Sequence, residues 1–225
     1  MFENLLSFWK GKDFLTQVFE EFKAMLDNAE FMFTSACGCL FSDVQEPEIK
    51  QKIYAVDKKI NILQKNIRKR IVEHLSLQPT VDVTACLLLM SLVKDAERLG
   101  DYSKNLFEVS ELAGKPIDSE LFAQYFNKLD KDIANLFKET KEAIMESSDN
   151  KAESSWDYKT RITKKCESIL KELAMSNLSV NETVCFTLIA RYFKRISAHL
   201  TNIATSVVLP LSDLDYFDEK RRHNE

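Results

Sequence analysis

Hydrophobic residues recur at alternating three- and four-residue steps along most of the chain, which places them on one face of long α-helices. Helix-breaking residues separate the runs, as at Gln78-Pro79 and again at Gly114 and Pro116. In the first half of the chain the pattern predicts three helices: one over 14–40, one from Ile53 to near Leu77, and one that begins behind Thr80 or Asp82 and ends near Leu112.

The same spacing returns in the second half of the chain. It predicts a fourth helix over 121–144, a polar connection over 147–155 and a fifth helix over 156–175. A sixth helix begins behind Ser179 or Asn181 and continues until Pro210 ends it. The remaining residues, 211–225, are expected to form an exposed tail.

The third and sixth predicted helices resemble each other when the chain is shifted by 97 residues. Arg98 then matches Arg195, and Asn105 matches Asn202, as identities. Two similar halves of three helices each indicate an internal duplication. We therefore predict an all-α fold of two tandem antiparallel three-helix bundles, with an N-terminal segment (1–12), a first repeat (13–114), a second, degenerate repeat (115–209) and a C-terminal tail (210–225).

Composition narrows the classes of function. The 225 residues include only 4 Gly and 4 Pro, too few for Gly-rich phosphate-binding loops. A net charge of −4 argues against nucleic acid as a partner, because phosphate backbones are bound by basic surfaces. The 5 cysteines and 3 histidines lack the spacing of a zinc site, and we find no nucleophile or catalytic dyad. We therefore predict that the protein is not an enzyme.

Neither a signal peptide nor a membrane span is predicted. The first residues lack the basic stretch of a signal peptide. The longest apolar stretch, 85–93, is far shorter than the roughly 20 residues that cross a bilayer. We expect a cytoplasmic protein.

One face of the third predicted helix carries a pair of carboxylates. Glu97 and Asp101 lie four residues apart, on the side opposite the leucine stripe. Asp57 and Asn61 have the same spacing on the second predicted helix, and antiparallel packing of the two helices would bring four oxygen-bearing groups together, as hard metal ions require. The alternative is an ordinary solvated acidic face balanced by its basic neighbours: Lys94, Arg98 and Lys104.

Asp95 differs from these acids because it falls near the leucine stripe, where an unpaired carboxylate is costly. A local ion pair with Arg98 is one interpretation. Indirect support of a metal ligand is the other. Both interpretations remain open at the level of the sequence.

The segment Asp95-Ala-Glu-Arg-Leu-Gly-Asp101, followed by Asn105, resembles the signature of the PhoU family of bacterial phosphate-uptake regulators. The duplicated six-helix layout is similar to that family as well. The resemblance implies a cytoplasmic regulator that relates a phosphate transporter component to a sensor histidine kinase and holds metal ions on acidic pairs. On this chain it implies one site or cluster on the first repeat for Fe, Zn, Mn or Mg, with these ligands: Asp57, Asn61, Glu97 and Asp101.

The second repeat departs from the family pattern. Lys194 stands where Glu97 predicts an acid, Ser197 replaces the glycine, and Ala198 replaces the aspartate. The counterpart of Asp57 is Asp157, and Arg161 rather than an acid stands four residues later. We hypothesise that this half has lost its metal ion and that Lys194 supplies a cation through a salt bridge.

Two other functions compete with the regulator. A metal-free helical scaffold or adaptor would need none of the acidic residues. A metal-dependent phosphohydrolase would use Glu97 and Asp101, but it lacks a further acid or histidine to act as a base. For the regulator we expect no nucleic-acid partner, and we leave open a peripheral association with membrane proteins and a homo-oligomer.

Overall fold

The computed structural model describes residues 13–42 and 47–214, which form seven α-helices and contain no strand. The predicted N-terminal segment and the tail beyond residue 214 lie outside the described residues. The all-α prediction is confirmed. The helices are α1 (Asp13–Cys39), α2 (Pro47–Leu77), α3 (Val83–Ala113), α4 (Ser119–Phe126), α5 (Leu129–Glu146), α6 (Asp149–Ala174) and α7 (Val180–Thr205), followed by a 3₁₀ turn (Leu211–Asp213).

Local signals explain where the long helices begin and end. Of the two starts predicted for α7, Ser179 is the N-cap: its side chain accepts a hydrogen bond from the Glu182 backbone N–H at 3.2 Å, and the Glu182 carboxylate accepts one from the Ser179 N–H at 3.1 Å. The third predicted helix starts directly after Asp82 and ends before Gly114, whose φ of 69° gives the expected left-handed C-cap. These boundaries agree with the pattern in the sequence. Two others do not: α7 ends at Thr205, five residues before Pro210, and α2 begins at Pro47, six residues before Ile53.

The predicted fourth helix is wrong as a single element, because the chain turns between α4 and α5. Asn127 and Lys128 both have positive φ values, 41° and 63°. The Asn127 N–H donates to the Ala123 carbonyl and caps α4, and asparagine is one of the few residues that tolerate this backbone region. Phe126 and Leu129 are both buried, so the three-residue hydrophobic spacing continues across the turn and conceals it.

The predicted polar connection over 147–155 is also too long. Ser147 has a φ of 50°, and the Ser148 side chain accepts a hydrogen bond from the Lys151 N–H, so that α6 begins at Asp149. Ala152 and Ser155 in this stretch are fully buried. The sequence pattern did not predict this first turn of α6, because the polar side chains on its exposed side resemble those of a loop.

The seven helices form two antiparallel three-helix bundles, α1–α3 and α5–α7, with α4 packed as a short addition against α6. The helices α3 and α7 each pack within their own bundle and against one another, so they form the centre of the molecule. The turn after α7 continues the packing, since Leu211 and Leu214 are partly buried against the core rather than exposed. No helix in 13–42 or 47–214 has the length and hydrophobicity to cross a membrane.

Phenylalanine side chains join the two bundles. The Phe33 ring of α1 lies 5.5 Å from the Phe137 ring and 5.8 Å from the Phe193 ring, measured between centroids, and all three side chains are buried. Burial of each contributes on the order of 1.5–3 kcal/mol. These three aromatic side chains therefore form core contacts between the two repeats.

Candidate functional site

Helices α2 and α3 pack antiparallel along a seam of polar contacts. The contacts recur at intervals of about one helical turn. As residue numbers increase along α2, the numbers of their partners on α3 decrease: Lys50 contacts Glu111 at 2.6 Å, Tyr54 contacts Glu108 at 2.9 Å, and Asp57 contacts Lys104 at 3.0 Å. This arrangement brings the two predicted acidic pairs to the same seam.

Gly100 lets the two helices approach closely at the centre of the seam. A Cβ atom added to Gly100 would lie 2.9 Å from Cδ1 of Ile60, closer than such atoms normally come. Ile60 is itself buried in the core. A larger residue at position 100 would therefore require the Ile60 side chain, or helix α2 with it, to shift.

Lys104 lies between the carboxylates of the two helices. Its Nζ atom is 3.0 Å from both carboxylate oxygens of Asp57 and 3.6 Å from Oδ1 of Asp101. Burial alone would lower the pKa of Lys104. The hydrogen bond to Asp57 and the charges of the two aspartates outweigh this effect, so the net pKa of Lys104 lies above its ordinary value. Lys104 is therefore a positive charge at neutral pH.

Arg98 closes the other side of the cluster. Its Nη1 atom lies 2.9 Å from Oδ2 of Asp101, and its Nε atom lies 3.6 Å from Oε2 of Glu97. Burial and the neighbouring charge of Asp101 raise the pKa of Glu97, although Arg98 and Arg68 oppose the rise. We refer to Asp57, Glu97, Arg98, Asp101 and Lys104 together as the α2/α3 cluster.

The α2/α3 cluster brings together three of the four residues expected to bind a metal ion, but in this arrangement they do not fit one. The Lys104 ammonium lies where a cation shared by Asp57 and Asp101 would lie. No three Asp, Glu, His or Cys side chains within 13–42 and 47–214 lie close enough together to hold a metal ion. Asn61, the fourth expected ligand, is half-buried one turn beyond Asp57. The metal site stays a prediction, against which Lys104 stands.

The corresponding seam of the second repeat, between α6 and α7, carries a different ion pair. Lys194 of α7 lies 2.7 Å from Oε1 of Glu167 on α6, so the expected salt bridge to a neighbouring carboxylate is present. The hydrogen bond from Lys194 lowers the pKa of Glu167. The loss of a metal ion from this half stays a prediction.

The other residues singled out in the second repeat lie apart from that ion pair. Asp157 and Arg195 are exposed, and Asn202 is half-buried, as is Asn105 in the first repeat. The Arg161 guanidinium lies over the Tyr158 ring at 4.7 Å. The structure does not gather these residues into a second carboxylate cluster.

Asp95 is paired across the two repeats. Its Oδ1 atom accepts a hydrogen bond from Nδ1 of His199 at 2.6 Å, and the Asp95 residue is only 7% exposed. Of the two interpretations of Asp95, the local ion pair with Arg98 is wrong, because the Arg98 guanidinium faces Glu97 and Asp101. His199 lies 104 residues away along the chain, so no local pattern could have identified it.

The contact between α3 and α7 has an approximate two-fold relationship. At the 97-residue offset, Asp95 corresponds to Tyr192 and Tyr102 corresponds to His199. The Asp95–His199 hydrogen bond therefore corresponds to the Tyr192–Tyr102 contact, whose ring centroids are 6.1 Å apart. Tyr102 also stacks on His199 at 5.6 Å. The same positions meet twice, once through a hydrogen bond and once through aromatic rings.

Comparison with known families agrees with this duplication. The model of the PhoU domain matches the chain in two copies, over residues 22–109 and 118–207. The chain belongs to the PhoU domain family. The first copy contains α2, most of α3 and the α2/α3 cluster, and the second contains α6 and α7.

Two relatives of this PhoU-domain chain carry the same descriptive name, phosphate-specific transport system accessory protein PhoU homolog. One, from Clostridium acetobutylicum, is 21% identical over 178 residues, covering 73% of this chain and 78% of the relative. The other, from Synechocystis sp., is 26% identical over 174 residues, covering 71% and 73%. The similarity therefore extends over most of both chains.

Two crystal structures share the PhoU fold. PhoU from Pseudomonas aeruginosa superposes with a TM-score of 0.76 at 20% sequence identity, covering 87% of this chain and 95% of that one. The phosphate transport system regulatory protein PhoU from Streptococcus pneumoniae superposes with a TM-score of 0.69 at 19% identity, with the same coverage. At these identities the likeness concerns the fold.

Proposed function

We propose that this chain is a PhoU-type regulator of phosphate uptake and signalling. It acts through protein–protein contacts with a component of a phosphate transporter, with a sensor histidine kinase, or with both. The observation that carries the proposal is the match of the PhoU domain in two copies, together with relatives named as accessory proteins of phosphate-specific transport.

The charge distribution of the seam supports a regulator that needs no metal ion. The carboxylates of the α2/α3 cluster already have cationic partners in Lys104 and Arg98. Protein contacts alone can therefore carry the regulation. Such a chain combines the expected regulator with the metal-free adaptor considered as its alternative.

Phosphate uptake in cells tests the physiological part of the proposal. In the source organism, deletion of the gene is expected to increase phosphate accumulation when external phosphate is plentiful, because the regulator that limits the transporter is removed. A plasmid copy of the wild-type chain should restore normal accumulation. Unchanged accumulation in the deletion strain would contradict the proposal.

Direct binding tests the molecular part. The purified full chain is expected to co-elute in size-exclusion chromatography with the detergent-solubilised phosphate transporter, or with the cytoplasmic part of the sensor kinase, from the same genome. An unrelated membrane transporter prepared in the same way serves as the control. Failure to bind either partner would contradict the proposed contacts.

A further inference from the structure

We propose that the Lys104 ammonium group takes the place of a divalent metal ion between α2 and α3, so that a side chain of the protein itself supplies the cation shared by these two helices. The proposal concerns the identity of the cation in the α2/α3 cluster. It stands or falls independently of the partners that the chain regulates.

The position of the ammonium group is the first support. A cation shared by the two helices must lie near oxygens of both Asp57 and Asp101, and Lys104 Nζ is 3.0 Å and 3.6 Å from them. A metal ion would contact the same oxygens at roughly 2.0–2.6 Å. The ammonium and the metal ion therefore compete for one space.

The balance of charge is the second support. Within the α2/α3 cluster three carboxylates face two basic side chains, Lys104 and Arg98, which leaves one net negative charge. Arg68, which acts on Glu97 from outside the cluster, reduces that charge further. A divalent ion added to this set would reverse its sign. Without Lys104 the set would carry two uncompensated negative charges, which one divalent ion would neutralise.

The cost of displacing Lys104 is the third support. Its side chain is 22% exposed and that of Asp57 is 14% exposed, so both groups are largely removed from water. A metal ion that took the carboxylates would leave a partly buried ammonium group beside a divalent charge, which is unfavourable. Because the lysine is part of the chain, it does not dissociate from the site.

Metal titration of the full chain tests the proposal. After treatment with EDTA and desalting, the wild-type protein is expected to bind no Mn²⁺ at the α2/α3 cluster in isothermal titration calorimetry. Lys104→Met removes the ammonium and keeps a side chain of similar length. This variant is expected to gain one bound Mn²⁺ per chain in the same titration, because the repulsion between the ammonium group and the metal ion is gone.

Two further variants make the result specific. Adding Asp57→Asn to Lys104→Met is expected to abolish the gained binding. Lys194→Met is the matched control: Lys194 of α7 lies in the corresponding seam of the second repeat but pairs with one carboxylate, that of Glu167 on α6, which is too few ligands for a metal ion. It should gain no Mn²⁺ binding.

The contrary results are equally clear. A wild-type chain that binds one Mn²⁺ and loses it on Asp57→Asn would overturn the proposal, as would a folded Lys104→Met that gains no Mn²⁺. If Lys104→Met does not fold, thermal unfolding of the wild type and of Asp57→Asn with and without Mn²⁺ decides: equal shifts support the proposal, and a stabilisation lost in Asp57→Asn overturns it. None of these readouts depends on phosphate regulation.

Discussion

The α2/α3 seam and the α6/α7 seam occupy corresponding places in the two PhoU repeats, yet each contains a lysine that comes from a different position. At the 97-residue offset, Lys194 corresponds to Glu97, and Lys104 corresponds to Thr201. Each lysine nevertheless pairs with a carboxylate on the neighbouring helix of its own bundle. Both repeats therefore contain an ion pair between neighbouring helices, but the lysines of the two ion pairs do not occupy equivalent positions in the duplication.

The two ion pairs also differ in their surroundings. The side chains of Lys104 and Asp57 are 22% and 14% exposed, whereas those of Lys194 and Glu167 are 36% and 53% exposed. Water and salt screen an exposed pair strongly and a half-buried one much less. The first seam is therefore the place where loss of a charge has consequences, and the second tolerates it.

The largest effect is expected where the two repeats meet, at His199. Replacement by phenylalanine keeps an aromatic ring against Tyr102 but leaves the buried Asp95 carboxylate without its donor. We expect His199→Phe to lower the free energy of unfolding by about 2–3 kcal/mol, measured by urea denaturation. In the double variant with Asp95→Leu, the loss should be smaller than the sum of the two single losses; full additivity would contradict the pairing.

The helix separation in the first seam gives the next effect. Gly100→Val would place a branched side chain against Ile60, which approaches a Cβ at this position to 2.9 Å. We expect a loss of about 1–2 kcal/mol from overpacking, measured by urea denaturation. Gly38→Ala is the control, since nothing lies within 4 Å of its Cβ, and it should not be destabilising. Equal stabilities of the two variants would show that α2 and α3 do not need a glycine to meet.

The two lysines provide the most direct comparison of the seams. Lys104→Met in metal-free buffer is expected to lower the free energy of unfolding by about 1 kcal/mol, because it leaves two aspartates facing each other. Lys194→Met should not change the urea midpoint measurably, since its partner is well exposed. The reverse order would mean that burial does not separate the two seams.

Glu97 gives the smallest effect, and its sign is opposite. Because burial and Asp101 raise the pKa of Glu97 in the folded chain, its ionisation opposes folding at pH values above that pKa. Glu97→Gln is therefore expected to be more stable than the wild type at pH 7, by less than about 0.5 kcal/mol after solvent screening. Below the unfolded-state pKa of Glu97, its carboxyl group is neutral in both the folded and the unfolded chain, so the gain in stability should vanish. Denaturation series at pH 7 and at acidic pH test this, and a loss at pH 7 would contradict it.

Periodicity predicted the long helices well because each has one buried face, and that face repeats along the chain whatever it packs against. The prediction failed at Asn127 and Lys128, since Phe126 and Leu129 remain buried on both sides of the turn. It failed again at Asp149, where the polar side chains of the first turn of α6 belong to its exposed face. In both places the spacing of hydrophobic residues indicates which side chains are buried. It does not indicate where the backbone turns, because one or two residues decide that.

Three of the four predicted ligands, Asp57, Glu97 and Asp101, lie in the α2/α3 cluster, but Asn61 does not, and the central position of Lys104 was not predicted. Glu97 and Asp101 lie one turn apart, so their shared face follows from helical geometry alone, and antiparallel packing brings Asp57 to them. Lys104 was counted only among the residues that balance an acidic face. The sequence did contain a signal for the contact with Lys104. Polar residues spaced about one turn apart on α2 face residues of complementary charge or hydrogen bonding on α3, beginning with Lys50 and Glu111.

The sequence by itself determined the all-α class, the duplication and the membership of the acidic face, because these depend on spacing within one helix or on similarity between segments. Only the tertiary structure decided which charges meet. Asp95 pairs with His199 rather than with Arg98, and Asp57 shares Lys104 with Asp101. Such contacts depend on the relative rotation and separation of packed helices, to which the close approach of α2 and α3 at Gly100 contributes. No local pattern in the sequence records them.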